Sequence, residues 1–170
     1  MNIVVKNAKQ DDLVDIAKLF VSNWKEQYKY LLPSKFLENL NCTDAEQRWF
    51  DFLNKEEHNI FVAYQDNNFL GFIACNREEE IDNCLYVFTL QVSDVFRGKG
   101  IGSALLKEVA KFGNQKGYRS MSICIIRGND KAKKLYVKLG AIHYKYFIDN
   151  FDDTVTNSEK LIWDNIKDLL

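Results

Sequence analysis

The sequence predicts an α/β fold in which a mixed, mostly antiparallel sheet is flanked by helices, organised as a single domain over residues 1–170. Three observations carry that prediction. Apolar residues recur at helical spacing after Asp12 and again from Ile101, and between and beyond those stretches the period shortens to that of strands. The run Arg97-Gly98-Lys99-Gly100-Ile101-Gly102 stands where an apolar strand hands over to an amphipathic helix. A chain of 170 residues buries about 70% of its unfolded surface, so one core suffices.

Taken in order, residues 3–5 alternate as a short strand, and Asp11 or Asp12 can cap a helix whose apolar positions include Leu13, Ile16, Ala17, Phe20 and Trp24. That helix ends before Pro33. Residues 34–40 read as helical, and Thr43 with Glu46 forms a capping box ahead of Trp49, Phe50 and Leu53. Residues 60–64 and 69–75 form a hairpin around the turn 65–68, and residues 85–92 add a third antiparallel strand. After the glycine run a helix extends from Ile101 to Gln115, closed by Gly117. Residues 119–126 are apolar on both faces, which predicts a central strand. Asn129 or Asp130 caps a short helix through Leu139, stopped by Gly140, and residues 142–148 and 160–166 are expected as a final strand pair around an acidic loop.

Composition excludes several classes. The net charge of -1 gives no electrostatic footprint for nucleic acid. No run of about 18 apolar residues offers a membrane span, and the first dozen residues carry Lys6, Lys9, Asp11 and Asp12, which is not a secretory pattern. Cys42, Cys75, Cys84 and Cys124 are scattered without a C-x-x-C pair and read as small hydrophobes, so no metal is expected and the location is cytoplasmic.

The chemistry concentrates in two segments. Glycines at 98, 100 and 102 leave backbone N–H groups unshielded by β-carbons, and the helix that follows adds unpaired amides and a positive dipole end, so the loop is a candidate anion cradle. It is not a Walker loop, lacking Gly-Lys-Ser or Gly-Lys-Thr, and Ser103 occupies the third-glycine position of a dinucleotide fingerprint. The second segment places Asn129, Ala132, Tyr136 and Gly140 on one helical face. A lone tyrosine there is more often a core aromatic with its hydroxyl satisfied.

Together the segments resemble the GNAT family of N-acetyltransferases, whose pattern runs Leu-x-Val, Arg-Gly-x-Gly-Ile-Gly and later Asn-x-x-Ala-x-x-Leu-Tyr-x-x-x-Gly. Here these are Leu90-Gln91-Val92, Arg97 to Gly102, and Asn129 to Gly140. The resemblance implies the acyl-CoA N-acyltransferase fold with a splayed cofactor cleft, and acetyl-CoA as cosubstrate without a metal. The pantetheine arm would lie along the strand through Leu90 and Val92, and the pyrophosphate on the amides of Gly98, Lys99, Gly100, Ile101 and Gly102 behind Arg97. Asn129 would contact the arm, Tyr136 would reach the sulfur, and Ser103 and Lys133 are candidates for further phosphate contacts.

The resemblance implies an N-acetyltransferase in which a primary amine on a small molecule or peptide attacks the thioester directly in a ternary complex, with an oxyanion held near Val92. Tyr136, near its ordinary pKa of about 10, would protonate the departing thiolate. A base is needed for the amine, yet residues 85–92, where many relatives carry a glutamate, contain no carboxylate. Glu78, Glu79, Glu80, His58 and His143 are the other candidates. Asp94 stands where relatives often have proline, and Ala141 where phenylalanine often follows the glycine.

An acceptor cleft in this family is lined by the first helices and the loop between the last strands. That implicates Trp24, Tyr28 and Tyr30 as aromatic walls and Asp149, Asp152, Asp153 and Glu159 as an acidic rim suited to a cationic amine. A catalytically idle acyl-CoA-binding sensor or interaction module is the alternative, and ATP on the same loop a third reading. Either a monomer or a homodimer paired through an exposed last strand fits the sequence.

Overall fold

The computed structural model describes residues 2–151 and 153–170. Seven strands form one open sheet in the order β1-β2-β3-β4-β5-β7-β6. The strands are β1 (Val4–Asn7), β2 (Asn59–Gln65), β3 (Asn68–Arg77), β4 (Cys84–Val92), β5 (Ser120–Ile126), β6 (Ile142–Phe151) and β7 (Thr154–Trp163). The helices are α1 (Leu13–Gln27), α2 (Ser34–Glu38), α3 (Cys42–Leu53), α4 (Ile101–Gln115) and α5 (Asp130–Lys138). Only β4 and β5 run parallel; the other pairs are antiparallel.

Strand periodicity explains how both faces are covered. On β2, Phe61 and Ala63 join Leu105, Leu106 and Val109 of α4 in one core, while Ile60 and Val62 join Ile16, Phe20 and Trp49 of α1 and α3 in the other. The β2–β3 turn places Asp66 and Asn67 at φ 48° and 67°, the mirror-image geometry that suits the twist of a two-residue hairpin. Gly71 on β3 is required by close approach: an added Cβ would stand 2.4 Å from the Gln91 carbonyl oxygen of β4.

Three expectations change. The last strand spans Thr154–Trp163 rather than residues 160–166, and the edge strand is β6, with β7 inside the sheet. Its polar residues are paired: Lys160 binds Glu78 at 3.0 Å and Glu80 at 2.8 Å, and Glu159 binds Lys133 and His143. Helix α3 starts at Cys42, because the Asn41 side chain accepts the Asp44 N–H at 2.9 Å and takes the capping role expected of Thr43. Asp12 does not cap α1 with its side chain. Its carboxylate accepts from the Lys9 N–H at 2.7 Å and the Tyr64 hydroxyl at 2.6 Å.

Candidate active site

The site begins where β4 and β5 part. Their pairing covers only Cys84–Val87 against Ser120–Ile123, whereas β4 continues beside β3 to Val92. Val92 faces Gly71, and the next residue, Ser93, donates its N–H to Leu70 at 2.9 Å. Backbone direction alternates along a strand, so the Leu90 and Val92 groups point away from β3, into the opening. The Val92 carbonyl is already engaged, accepting from Asn23 Nδ2 at 3.1 Å and Arg97 Nε at 3.3 Å.

The glycine loop closes the foot of that opening. A short 3-10 turn over Asp94–Phe96 leads to Arg97, and Gly98 and Gly100 adopt φ of 74° and 83°, a left-handed conformation that side chains disfavour. A Cβ at either would meet nothing within 4 Å, so the loop surface is open backbone. Ile101 is buried and plugs the start of α4 into the core. Among the described residues the amides of residues 98–103 have no protein acceptor; the turn bonds stop at Arg97 and resume with Ala104 donating to Gly100. Lys99 folds over Phe96, 5.4 Å from the ring centre.

Helix α5 forms the opposite wall. Asn129 caps it, accepting the Ala132 N–H at 3.4 Å, and offers Nδ2 to the Tyr28 hydroxyl at 3.4 Å. Lys133 is turned onto Glu159 at 2.8 Å. Gly102 lies against α5, where a Cβ would stand 3.1 Å from Leu135. Tyr136 is only 6% exposed, packs edge-on against Trp163 at 6.0 Å and lines the cleft. Burial, with the facing Tyr28 phenol, pushes its pKa above the ordinary 10.0, so it is a weaker acid than its sequence suggests.

Between these walls lies a cleft of ≈ 360 Å³. Trp24, Tyr28 and Phe36 line it together with Tyr86 and Phe88 of β4, Arg48 of α3 and Asp149 of β6. Trp24 packs on Tyr28 with ring centres 4.8 Å apart. Tyr30, 88% exposed, is not in this lining, and Asp153 lines a neighbouring depression. Asp152 lies outside the described residues. Glu159 is buried between Lys133 and His143, so it is no rim carboxylate.

The candidate bases fall elsewhere. Glu78 is buried; burial pushes its carboxyl up, but the Ser122 hydroxyl at 2.6 Å, Lys160 and the Glu80 N–H outweigh it and leave the pKa below 4.5. Glu80 pairs with Lys145 and Lys160, and Glu79 is exposed. His58 packs on Phe52 at 4.4 Å, and its surroundings, burial first, hold its pKa below 6.5. His143 Nδ1 lies 2.7 Å from Glu159. The carboxylate that lines the cleft is Asp149.

Sequence reasoning missed the joint between loop and helices. The Asn23 side chain, buried on α1, donates to Gln91 at 3.0 Å and to the Val92 carbonyl, and accepts from Arg97 Nη2 at 2.9 Å. Gln91 in turn donates to Thr89 at 2.9 Å. Asn23 interrupts the apolar face of α1, the one signal that could have drawn attention to it.

The family comparison agrees with this geometry. A profile of the Acetyltransferase (GNAT) family matches residues 20–141. The chain belongs to the GNAT family of acetyltransferases. The acetyltransferase is 31% identical over 132 residues to YuaI of Bacillus subtilis, an uncharacterized N-acetyltransferase, covering 75% of this chain and 73% of that protein. Its fold is shared with a PaiA N-acetyltransferase from Thermoplasma acidophilum in complex with coenzyme A, at TM-score 0.70 and 20% identity over 94% of this chain and 98% of that one. A Salmonella typhimurium protein in complex with its cofactor acetyl-CoA aligns at TM-score 0.73 and 14% identity, over 95% of this chain and 93% of that one.

Proposed function

We propose that this acetyltransferase moves the acetyl group of acetyl-CoA onto a primary amine by direct attack in a ternary complex. The observation that carries the reading is the set of unpaired loop amides over residues 98–103, adjoining backbone groups of Leu90 and Val92 that face the β4–β5 opening. Converging N–H groups at a helix start suit a diphosphate, and an open strand edge suits the amide-bearing pantetheine arm, which pairs as an added strand would. When bound, the cosubstrate supplies an acetyl group activated as a thioester.

The chain's own residues divide the remaining work. Arg97 and Asn23 fix the end of β4, leaving the Val92 N–H to receive a developing oxyanion. Tyr136 keeps its proton throughout the neutral range and supplies it at the sulfur, while Asn129 orients the arm through its side-chain amide. Lys133, now on Glu159, reaches a phosphate only by leaving that partner, whereas Ser103 needs no such exchange. Asp149 meets the incoming ammonium between the aromatic walls of Trp24 and Tyr28 and takes the proton that the nitrogen must lose before it attacks. The four free cysteines suit a reducing, cytoplasmic setting.

The test is to incubate the protein with acetyl-CoA and pooled amines while following free thiol. Thiol release that requires both the protein and an amine is expected. Tight acetyl-CoA binding without turnover on any amine would instead favour a sensor or interaction module.

A further inference from the structure

Among the described residues lining the β4–β5 cleft, only two carry a full charge, and they have opposite signs: Arg48 on α3 and Asp149 on β6. Neither forms an ion pair with a described residue. Asp44, one helical turn before Arg48 and its natural i−4 partner, accepts instead from Asn41 Nδ2 at 2.7 Å. Among the described residues Asp149 accepts only the neighbouring Asn150 N–H, at 2.8 Å. Arg48 also borders an adjoining depression of ≈ 480 Å³, whose other charged residues are Lys35, Asp44 and Asp153.

Arg48 is exposed on α3, and at the cleft it shares the lining with Phe20, Phe36 and Leu40, where its planar, unpaired guanidinium can offer a carboxylate two N–H groups at once. The same charge repels a second cationic centre, so a polyamine that satisfied Asp149 would meet a penalty at Arg48. We infer that Arg48 selects the acceptor by binding a carboxylate carried on the same small molecule as the amine, which makes the acceptor an amino acid or a short peptide with a free C-terminus. This rests on the acetyl-CoA reading above and goes beyond it by assigning the substrate class and the residue that sets it.

The experiment has two arms. Calorimetry measures acetyl-CoA binding to the wild type, Arg48→Gln and Arg48→Lys; absence of binding in the wild type sinks the donor reading before any acceptor is added. Steady-state thiol release is then compared for amino acids, their amides, the corresponding decarboxylated amines, dipeptides and spermidine. The wild type is expected to favour the carboxylate-bearing partner of each pair by about 3- to 10-fold in kcat/KM, the worth of a bidentate but solvent-exposed charge pair.

Arg48→Gln should remove that preference through KM, Arg48→Lys should restore part of it, and acetyl-CoA affinity should stay within about twofold of wild type in both. Preference among free amino acids or among dipeptides reports which of the two sources reaches Arg48. Equal rates on acids and amides, a preference for spermidine, or an acid preference that survives in Arg48→Gln with acetyl-CoA binding intact would overturn the assignment.

Discussion

The two sides of the cleft are made of different material. The glycine-loop side offers main-chain groups: amides over residues 98–103 and the outward-facing positions of Leu90 and Val92. The helical side offers side chains from α1, α2, α3 and β6, namely Trp24, Tyr28, Phe36, Arg48 and Asp149. Main-chain groups suit features common to every molecule of a class, on the proposed reading a diphosphate and amide bonds. Side chains are replaced one at a time, which is how one fold accepts many partners. On the proposed reading, the donor is read by conformation and the acceptor by chemistry.

The sharpest way to break that division is Gly100→Asp, which puts a carboxylate where the amides converge and a Cβ on a residue at φ 83°. Acetyl-CoA affinity should fall by at least about 100-fold, since like charges in contact cost several kcal/mol. Gly100→Asn, tolerant of left-handed backbone, controls for strain. Micromolar binding retained by the aspartate variant would refute the placement of the diphosphate.

Next in size, Tyr136→Phe should leave acetyl-CoA affinity nearly unchanged and lower turnover by at least about tenfold, and by as much as about 10⁴. An unaltered rate would strip the phenol of its acid role.

The joint between the two sides is probed by Asn23→Ala, which leaves the Gln91 side-chain oxygen and the Arg97 guanidinium short of partners. A loss of about 1–3 kcal/mol is expected, read as a fall in Tm of about 2–4 °C per kcal/mol. An unshifted Tm would mean the two sides hold together without it.

The smallest effect concerns pH. Glu78 and Glu159 both have folded-state pKa values below the ordinary 4.5. A carboxyl depressed on folding stabilises fully above its unfolded value and loses that contribution as pH falls through the folded one. The urea midpoint should therefore hold from about pH 7 to about pH 5 and drop below about pH 4.5, and Glu159→Gln should flatten the drop. Equal slopes in the two proteins would remove Glu159 from the account.

How much of this was legible in the sequence follows the same division. The loop is contiguous, so Gly98, Gly100 and Gly102 announced it, and α4 and β5 followed from periodicity. Arg48 and Asp149 lie a hundred residues apart, and only the folded sheet brings them to one cleft. The start of β7 was misjudged because Thr156, Ser158 and Glu159 read as loop, yet all are buried, and Glu159, like Lys160 beside it, is paired across elements distant in sequence. Local pattern cannot reveal a partner such as Glu78, 82 positions away from Lys160. Asn23 stayed hidden for the same reason, its partners lying on β4 and the loop.

One carbonyl has a wider consequence. With the Val92 oxygen spoken for by Asn23 and Arg97, an extended guest laid beside β4 can engage both groups of Leu90 but only the N–H of Val92. Its zipper ends there, so the guest has to bend at a fixed point, one short turn ahead of the bare loop. On the proposed reading, the span from the donor's phosphates to its reactive end is thereby set by where the strand edge stops, as a ruler would set it.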